Sequence, residues 1–281
     1  MKNQKEIFDT ISLECSKTTT KIYSTSFSLA IKLLGKEYQD AIYSIYGFVR
    51  LADEIVDSFH NYNKPQLLNE LRSSLIDAIE KKISLNPILN SFQNTIKKYN
   101  IEWMLIDTFL DSMEYDLSSQ SCNEETYKRY IKGSAEAVGL MCLQIFTNNN
   151  KGQYQQLKPY AESLGSAFQK INFLRDINED YNSLNRVYFP DLNIKDFNNS
   201  EKKKIEEDIA KDFADGLKGI RLLDKDARKG VFLAYQYYMS LFRKIQKIDA
   251  QKILVKRIRI SNIKKVMILI FSQIQIKFQT I

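Results

Sequence analysis

A chain of 281 residues with 9 glycines and 4 prolines is too poor in turn formers for a many-stranded sandwich or barrel. It is also poor for a doubly wound α/β fold with its many short loops, which leaves an all-helical protein as the expected class. Hydrophobic residues make up 44% and charged residues 27%, enough apolar material to fill a core at this size and too much for a disordered polymer. The net charge is +7, and seven of the 41 bases (Lys252, Lys256, Arg257, Arg259, Lys264, Lys265 and Lys277) lie in residues 250–281 with no acid among them. The remaining bases equal the 34 acids in number, so the body is neutral and the C-terminal segment carries the whole excess. That distribution argues against nucleic acid as a partner. It suits an anionic membrane surface or a diphosphate-bearing ligand, the plain alternative being a solvated last helix.

Apolar residues recur at three and four spacing through most of the chain, and the first predicted helix covers 4–34, ending at Gly35. The second, 37–59, buries Ile42, Ile45, Tyr46, Val49, Ala52, Ile55 and Val56 and carries the acidic stripe RLADEIVD. Helices over 64–82 and 87–98 follow the breaks at Asn61 to Pro65 and at Asn86–Pro87. The helix over 101–118 holds Asp107 and Asp111, which have no arginine beside them in sequence and are expected to face solvent. Next come 124–147 and 151–184, the latter carrying NFLRDINED. In 199–217, Asp208 and Asp212 sit among Lys202, Lys203, Lys204 and Lys211, which are expected to neutralise them locally. Helices over 219–246 and 250–270 complete the set, and the alternating run QIQIKFQTI, as much strand-like as helical, is read as helix. No repeat of fixed period and no interdomain linker is visible, so residues 1–281 are expected to form a single domain.

Cys15, Cys122 and Cys142 have no metal-ligand spacing and read as reduced thiols. The N-terminal stretch is too polar for a signal peptide and no run of apolar residues is long enough to span a bilayer, which predicts a cytoplasmic protein. His60 is the sole histidine, so multi-histidine metal sites are excluded and carboxylates or basic groups must carry any chemistry.

Aspartates four apart repel on one helical face, yet D-x-x-x-D occurs four times. Two of the four stand out. Arg50 precedes Asp53 by three residues, and Asp53 and Asp57 lie on an otherwise apolar helix, while Asn172, Asp176 and Asp180 form a single stripe beside Arg175 and Glu179. Two such stripes facing across a bundle make an oxygen-lined cage of the kind Mg²⁺ accepts, completed by water and substrate phosphate. Arg50, Arg175 and Arg186 then suit a departing diphosphate, the alternative being ion pairs to their own stripes.

The blocks YSTSFSLAIKLL (23–34), IYSIYGFVRLADEIVD (42–57), YIKGSAEAVGLM (130–141), LGSAFQKINFLRDINEDY (164–181) and RVYFP (186–190) resemble the head-to-head prenyl synthases, the squalene, dehydrosqualene and phytoene synthases, over about residues 15–245. The resemblance implies an all-α bundle of the isoprenoid-synthase type around a central apolar cavity. It makes Asp53, Asp57, Asp176 and Asp180, with Asn172, the ligands of Mg²⁺ (or Mn²⁺) and through it of substrate diphosphate. It places Ser24, Ser26, Phe27, Tyr46, Arg50 and Arg186 against substrate, Tyr130 and Tyr188 near the reacting groups, and Val138, Gly139 and Gln169 along the cavity.

The implied chemistry ionises one allylic diphosphate, captures its cation on the double bond of a second and rearranges the resulting cyclopropylcarbinyl diphosphate. The wording of the second acidic block points to a phytoene synthase using two geranylgeranyl diphosphates without NADPH; the alternatives are a farnesyl-diphosphate enzyme and a non-catalytic binding protein of the same fold. Prenyl diphosphates are the expected partners. A monomer or weak dimer is expected, with peripheral contact at the inner membrane face through the basic tail. Glu136 and Lys170 depart from the family pattern, Glu136 being expected to point outward and Lys170 to pair with a carboxylate or a diphosphate.

Overall fold

The computed structural model describes residues 3–118, 123–184, 186–190 and 192–277; Cys122 and the last part of the QIQIKFQTI run lie outside them. Among the described residues every regular element is helical. The predicted helix 4–34 is two helices, α1 (Gln4–Tyr23) and α2 (Thr25–Lys32). The reason is Ser24, whose backbone turns extended and whose hydroxyl accepts a hydrogen bond from the Phe27 amide at 3.1 Å, capping α2. Then follow α3 (Lys36–Asp57), α4 (Lys64–Lys81), α5 (Pro87–Tyr99) and α6 (Trp103–Asp116). Asn63 and Asn86 cap α4 and α5 just ahead of Pro65 and Pro87, which occupy first-turn positions where a missing amide costs nothing.

The predicted helix 124–147 is α7 (Glu124–Ile131) and α8 (Ala137–Phe146) joined by a π-helical stretch, Lys132–Glu136. Next come α9 (Lys151–Leu184), α10 (Asn199–Leu222) and α11 (Lys225–Gln246). The break between the last two falls at Asp224, whose carboxylate caps α11, and not at Lys218 as periodicity suggested. The segment expected as one helix over 250–270 is a single turn, α12 (Ala250–Ile253), a non-helical stretch, and α13 (Asn262–Lys277) packed along α11.

Two apolar cores flank the middle of the bundle. In the first, Phe48 of α3 stacks on Phe92 of α5 at 4.4 Å and meets the edge of Phe109 of α6 at 5.8 Å. In the second, Phe213 of α10 contacts Tyr235 and Phe242 of α11 at 5.4 and 5.7 Å. Two acidic pairs that sequence assigned to solvent or to local lysines tie helices together instead. Arg72 of α4 pairs with Asp107 and, at 2.8 Å, with Asp111 of α6. Lys170 of α9, buried to 9% side-chain exposure, pairs with Asp208 and, at 2.8 Å, with Asp212 of α10. Ser166 donates to the same Asp212 at 2.7 Å.

Beside this group Glu136 is half-buried and does not point outward. Burial, then Glu162 and Asp212, push its carboxyl up to about 7 against Lys132 and Lys170. A carboxyl raised on folding binds more protons in the native state, so its contribution to stability is present below its ordinary value and is lost as pH rises through 7. Replacing Glu136 by Gln is therefore expected to raise the melting temperature at pH 8 and to leave it nearly unchanged at pH 4. The gain is about 1 kcal/mol after solvent screening, read by thermal circular dichroism.

The π stretch is clamped on both sides. A Cβ on Gly133 would lie 2.5 Å from the Thr108 carbonyl oxygen, and one on Gly165 of α9 2.8 Å from the Ala135 carbonyl oxygen. Backbone cannot swing aside like a flexible side chain. Gly133→Ala is expected to cost about 1–3 kcal/mol, measured by denaturant unfolding, and a midpoint equal to the parent's would show that α6 and the π stretch part without loss.

Candidate active site

A cavity of about 640 Å³ lies between the two cores, walled by α2, α3, α6, the α7–α8 segment, α9, α10 and α11. Much of its wall is apolar, including Ala30, Leu34, Phe146, Leu157 and Leu223, whereas its charged residues gather together. Asp53 and Asp57 come from the last turns of α3, Asp176 and Asp180 from α9, and Asp116 from the end of α6, all lining this one space.

Burial and mutual repulsion mark the carboxylates. Asp53 is pushed up to about 7 by burial and then by Asp57, against the pull of Arg50. Asp180 is pushed up to about 8 by burial and Asp176, with Asp57 and Asp116 adding to it and Arg186 opposing. The α3 and α9 stripes therefore sense each other across the cavity.

Arginines answer this charge. The Arg50 guanidinium pairs with Glu54, lies 4.0 Å from Asp53 and sits 4.2 Å over the Tyr23 ring, while its buried Nε has no partner among the described residues. Arg175 hydrogen-bonds Asp176 at 2.9 Å and Arg257 reaches the same carboxylate at 2.8 Å, bonding Glu179 at 2.9 Å as well. Arg186 donates to Asp57 at 2.9 Å and to the Asp116 carbonyl at 2.8 Å. The ion-pair reading of these arginines thus holds in this arrangement for Arg50, with Asp53 and Glu54 of α3, and for Arg175, with Asp176, while Arg186 bridges α3 to α6.

Asp116 is the residue that sequence reasoning passed over. Its side chain is 6% exposed and accepts from the Tyr130 hydroxyl at 2.5 Å and the Tyr188 hydroxyl at 2.9 Å. Burial raises its carboxyl to about 6, with Arg186 and the two tyrosines pulling the other way. Both phenols are in turn held well above 10, by burial first and then by Asp116, so they stay protonated donors. Tyr188 stacks on Phe173 at 4.3 Å and meets Tyr130 at 4.9 Å. The only trace in the sequence was an acid closing the run DSMEYD, with its partners far along the chain.

Around the apolar part of the space, Phe27 meets Tyr46 at 5.9 Å and Tyr238 at 6.0 Å, and Tyr238 stacks on Phe168 at 4.0 Å. Val138, Gly139 and Gln169 line it as expected. Asn172 donates to Gln169 at 3.2 Å and accepts from the Tyr238 hydroxyl at 3.3 Å. Ser24 lines the cavity, where its hydroxyl accepts from the Phe27 amide and also bonds Tyr46; Ser26 is not among the lining residues.

No group of three or more Asp, Glu, His or Cys among the described residues is arranged to hold a metal unaided. The donor set nevertheless fits Mg²⁺, which binds through one or two carboxylates and completes its shell with water and phosphate. Each stripe supplies a carboxylate pair whose repulsion a divalent ion relieves, and the Arg50 Nε offers an unused donor for a phosphate oxygen.

The all-helical bundle around a largely apolar cavity is of the isoprenoid-synthase type. The chain belongs to the squalene/phytoene synthase family, whose model matches residues 20–264, and is a prenyltransferase of the head-to-head condensing kind. It is 25% identical over 251 residues to a 4,4'-diapophytoene synthase of Staphylococcus haemolyticus, covering 82% of this chain and 85% of that one. It is 26% identical over 182 residues to a phytoene synthase of Mycobacterium tuberculosis, covering 62% of this chain and 56% of that one. Its fold matches a ligand-bound dehydrosqualene synthase with a TM-score of 0.80 at 21% identity, covering 96% and 98% of the two chains.

Asp116→Asn keeps the shape of the side chain but removes the charge that orients two phenols and Arg186. Turnover is expected to fall roughly a hundredfold with the helical circular dichroism unchanged, because a small misplacement of reacting groups costs about that much. Parent-level turnover would make the residue a purely packing element.

Proposed function

We propose that the protein is a phytoene synthase. It joins two geranylgeranyl diphosphates head to head through a cyclopropylcarbinyl diphosphate and releases diphosphate, at the entry to carotenoid synthesis. The observation that carries this is the pairing of the α3 and α9 carboxylate stripes across a largely apolar cavity. Asp53 and Asp57 on one side and Asn172, Asp176 and Asp180 on the other would hold Mg²⁺, or Mn²⁺ in its place. When bound, the ion supplies the charge neutralisation that a departing diphosphate needs.

The chain's own groups do the rest. Arg50 and Arg186 donate to phosphate oxygens as the allylic carbon–oxygen bond breaks and negative charge moves onto the leaving group. Tyr46 and Ser24 flank the diphosphate, while Phe27, Val138, Gly139 and Gln169 hold the prenyl chains so that the second double bond faces the cation. Tyr130 and Tyr188, kept protonated beside Asp116, are neutral donors next to the reacting carbons. The apolar wall excludes water, which would otherwise trap the cation as an alcohol. The last cation loses a proton, and NADPH is not required for this outcome.

The protein acts in this reading as a monomer or weak dimer, without nucleic acid, at the cytoplasmic face of a membrane that receives the apolar product. Its basic C-terminal segment makes the contact. Among the described residues no helix is long and apolar enough to cross a membrane.

A second reading, condensation of farnesyl diphosphate to a shorter polyene, is favoured by the 85% coverage of the staphylococcal relative. Incubation with Mg²⁺ and either diphosphate, without reductant, followed by chromatography of the apolar extract, decides between them. Phytoene is the expected product, and product from farnesyl diphosphate alone would select the second reading. Asp176→Asn is expected to abolish diphosphate release without change in circular dichroism; retained release would remove the α9 stripe from the reaction.

A further inference from the structure

A second groove, which shares no lining residue with the first cavity, lies between α11 and α13, with a volume of about 360 Å³. Arg243 and Lys244 line it from the last turn of α11, Lys247 from the residue that caps that helix, and Lys264 from the start of α13. Lys244 donates to the Arg259 carbonyl at 2.7 Å, and no carboxylate among the described residues lies within ion-pair distance of any of the four. Four cations drawn together without an acid repel one another, which calls for an anion. At the floor of the groove the Ser272 hydroxyl is buried, its residue 1% exposed, and has no hydrogen-bond partner among the described residues. A buried orphan hydroxyl beside clustered cations is a donor waiting for a phosphate-type oxygen.

The outer face of α13 explains what carries that anion. Ile263, Val266, Met267, Ile270, Phe271 and Ile274 fall at helical spacing on one stripe and are 76, 51, 47, 54, 63 and 45% exposed. The inner face, with Ile268, Leu269 and Ser272, packs on the bundle, so the helix is apolar on both sides. Phe271 belongs to the outer stripe and to the rim of the groove at once. A continuous exposed apolar stripe flanked by unpaired cations matches the boundary between lipid headgroups and acyl chains.

We propose that the groove between α11 and α13 binds the phosphate of an anionic phospholipid while the outer stripe of α13 enters the bilayer surface. This deepens the peripheral membrane contact proposed above and rests on it. The helix has 16 residues, too few to cross a bilayer and enough to lie in its plane. A second copy of the chain is the poorer occupant, because it would bring the same uncompensated cations against themselves.

The test measures co-sedimentation of the full chain with mixed phosphatidylglycerol–phosphatidylcholine vesicles and with phosphatidylcholine vesicles. It compares the parent, the triple variant Arg243→Gln/Lys247→Gln/Lys264→Gln and the double variant Ile270→Ser/Phe271→Ser. The parent is expected to bind the anionic vesicles and to be released by salt. The triple variant should lose about a hundredfold in partitioning and much of its salt dependence, at roughly fivefold per cation near a charged surface. The double variant should lose binding to both kinds of vesicle, and both variants should keep parent turnover in detergent, since none of these residues lines the diphosphate cavity.

Equal partitioning of the parent and the triple variant on anionic vesicles would overturn the groove and leave the membrane contact standing. Absence of vesicle binding by the parent would overturn both. A solution dimer by light scattering that Ile270→Ser/Phe271→Ser dissociates would assign the stripe to a second copy instead.

Discussion

The structure turns on carboxylates that face one another across an apolar space. Asp53 and Asp57 on α3 confront Asp176 and Asp180 on α9, with Asp116 between them from α6. Burial in a poorly polarisable wall and mutual repulsion push three of these groups well above the ordinary carboxylate range. Such an arrangement survives folding only because guanidinium groups reach it from several elements, and it stays open to further positive charge. The reaction proposed for this site needs a cation and releases an anion, and it would use that unmet demand.

The rest of the bundle holds the two stripes at their separation. The long α9 packs on the π stretch through Gly165, on α10 through Lys170 and Ser166, and presents its acidic stripe to α3. The π stretch adds a residue to its turn where α6 and α9 both approach by backbone, and the glycines there leave no room for a side chain. The aromatic pairs Phe48 with Phe92 and Phe173 with Tyr188 fix the flanking cores, so that the cavity between them remains a space.

The C-terminal segment serves both ends of this design. Arg257 folds back to Asp176 and Glu179 and joins the charge balance of the site, whereas α13 turns an apolar stripe and a basic groove outward. In the proposed reaction, with apolar substrates and a more apolar product, this one segment would touch both the diphosphate site and the membrane surface that receives the hydrocarbon.

Much of this was legible in the sequence. Scarce glycine and proline with three-and-four periodicity determined the helical class, and aspartates four apart on apolar helices beside arginines marked the two stripes, because both signals are local. Where local chemistry was specific the boundaries were readable as well, as at Asn63–Pro65 and Asn86–Pro87. Three things needed the tertiary structure. The break at Ser24 and the π stretch depend on capping and on helix approach, which periodicity does not register. The partners of Asp107, Asp111, Asp208 and Asp212 proved to be Arg72 and Lys170 on neighbouring helices, since a charge is neutralised by what packs against it and not by what precedes it in the chain. Asp116 left no more in the sequence than an acid closing DSMEYD, and the groove between α11 and α13 no more than the basic tail, because each is assembled from residues that meet only when separate helices are brought side by side.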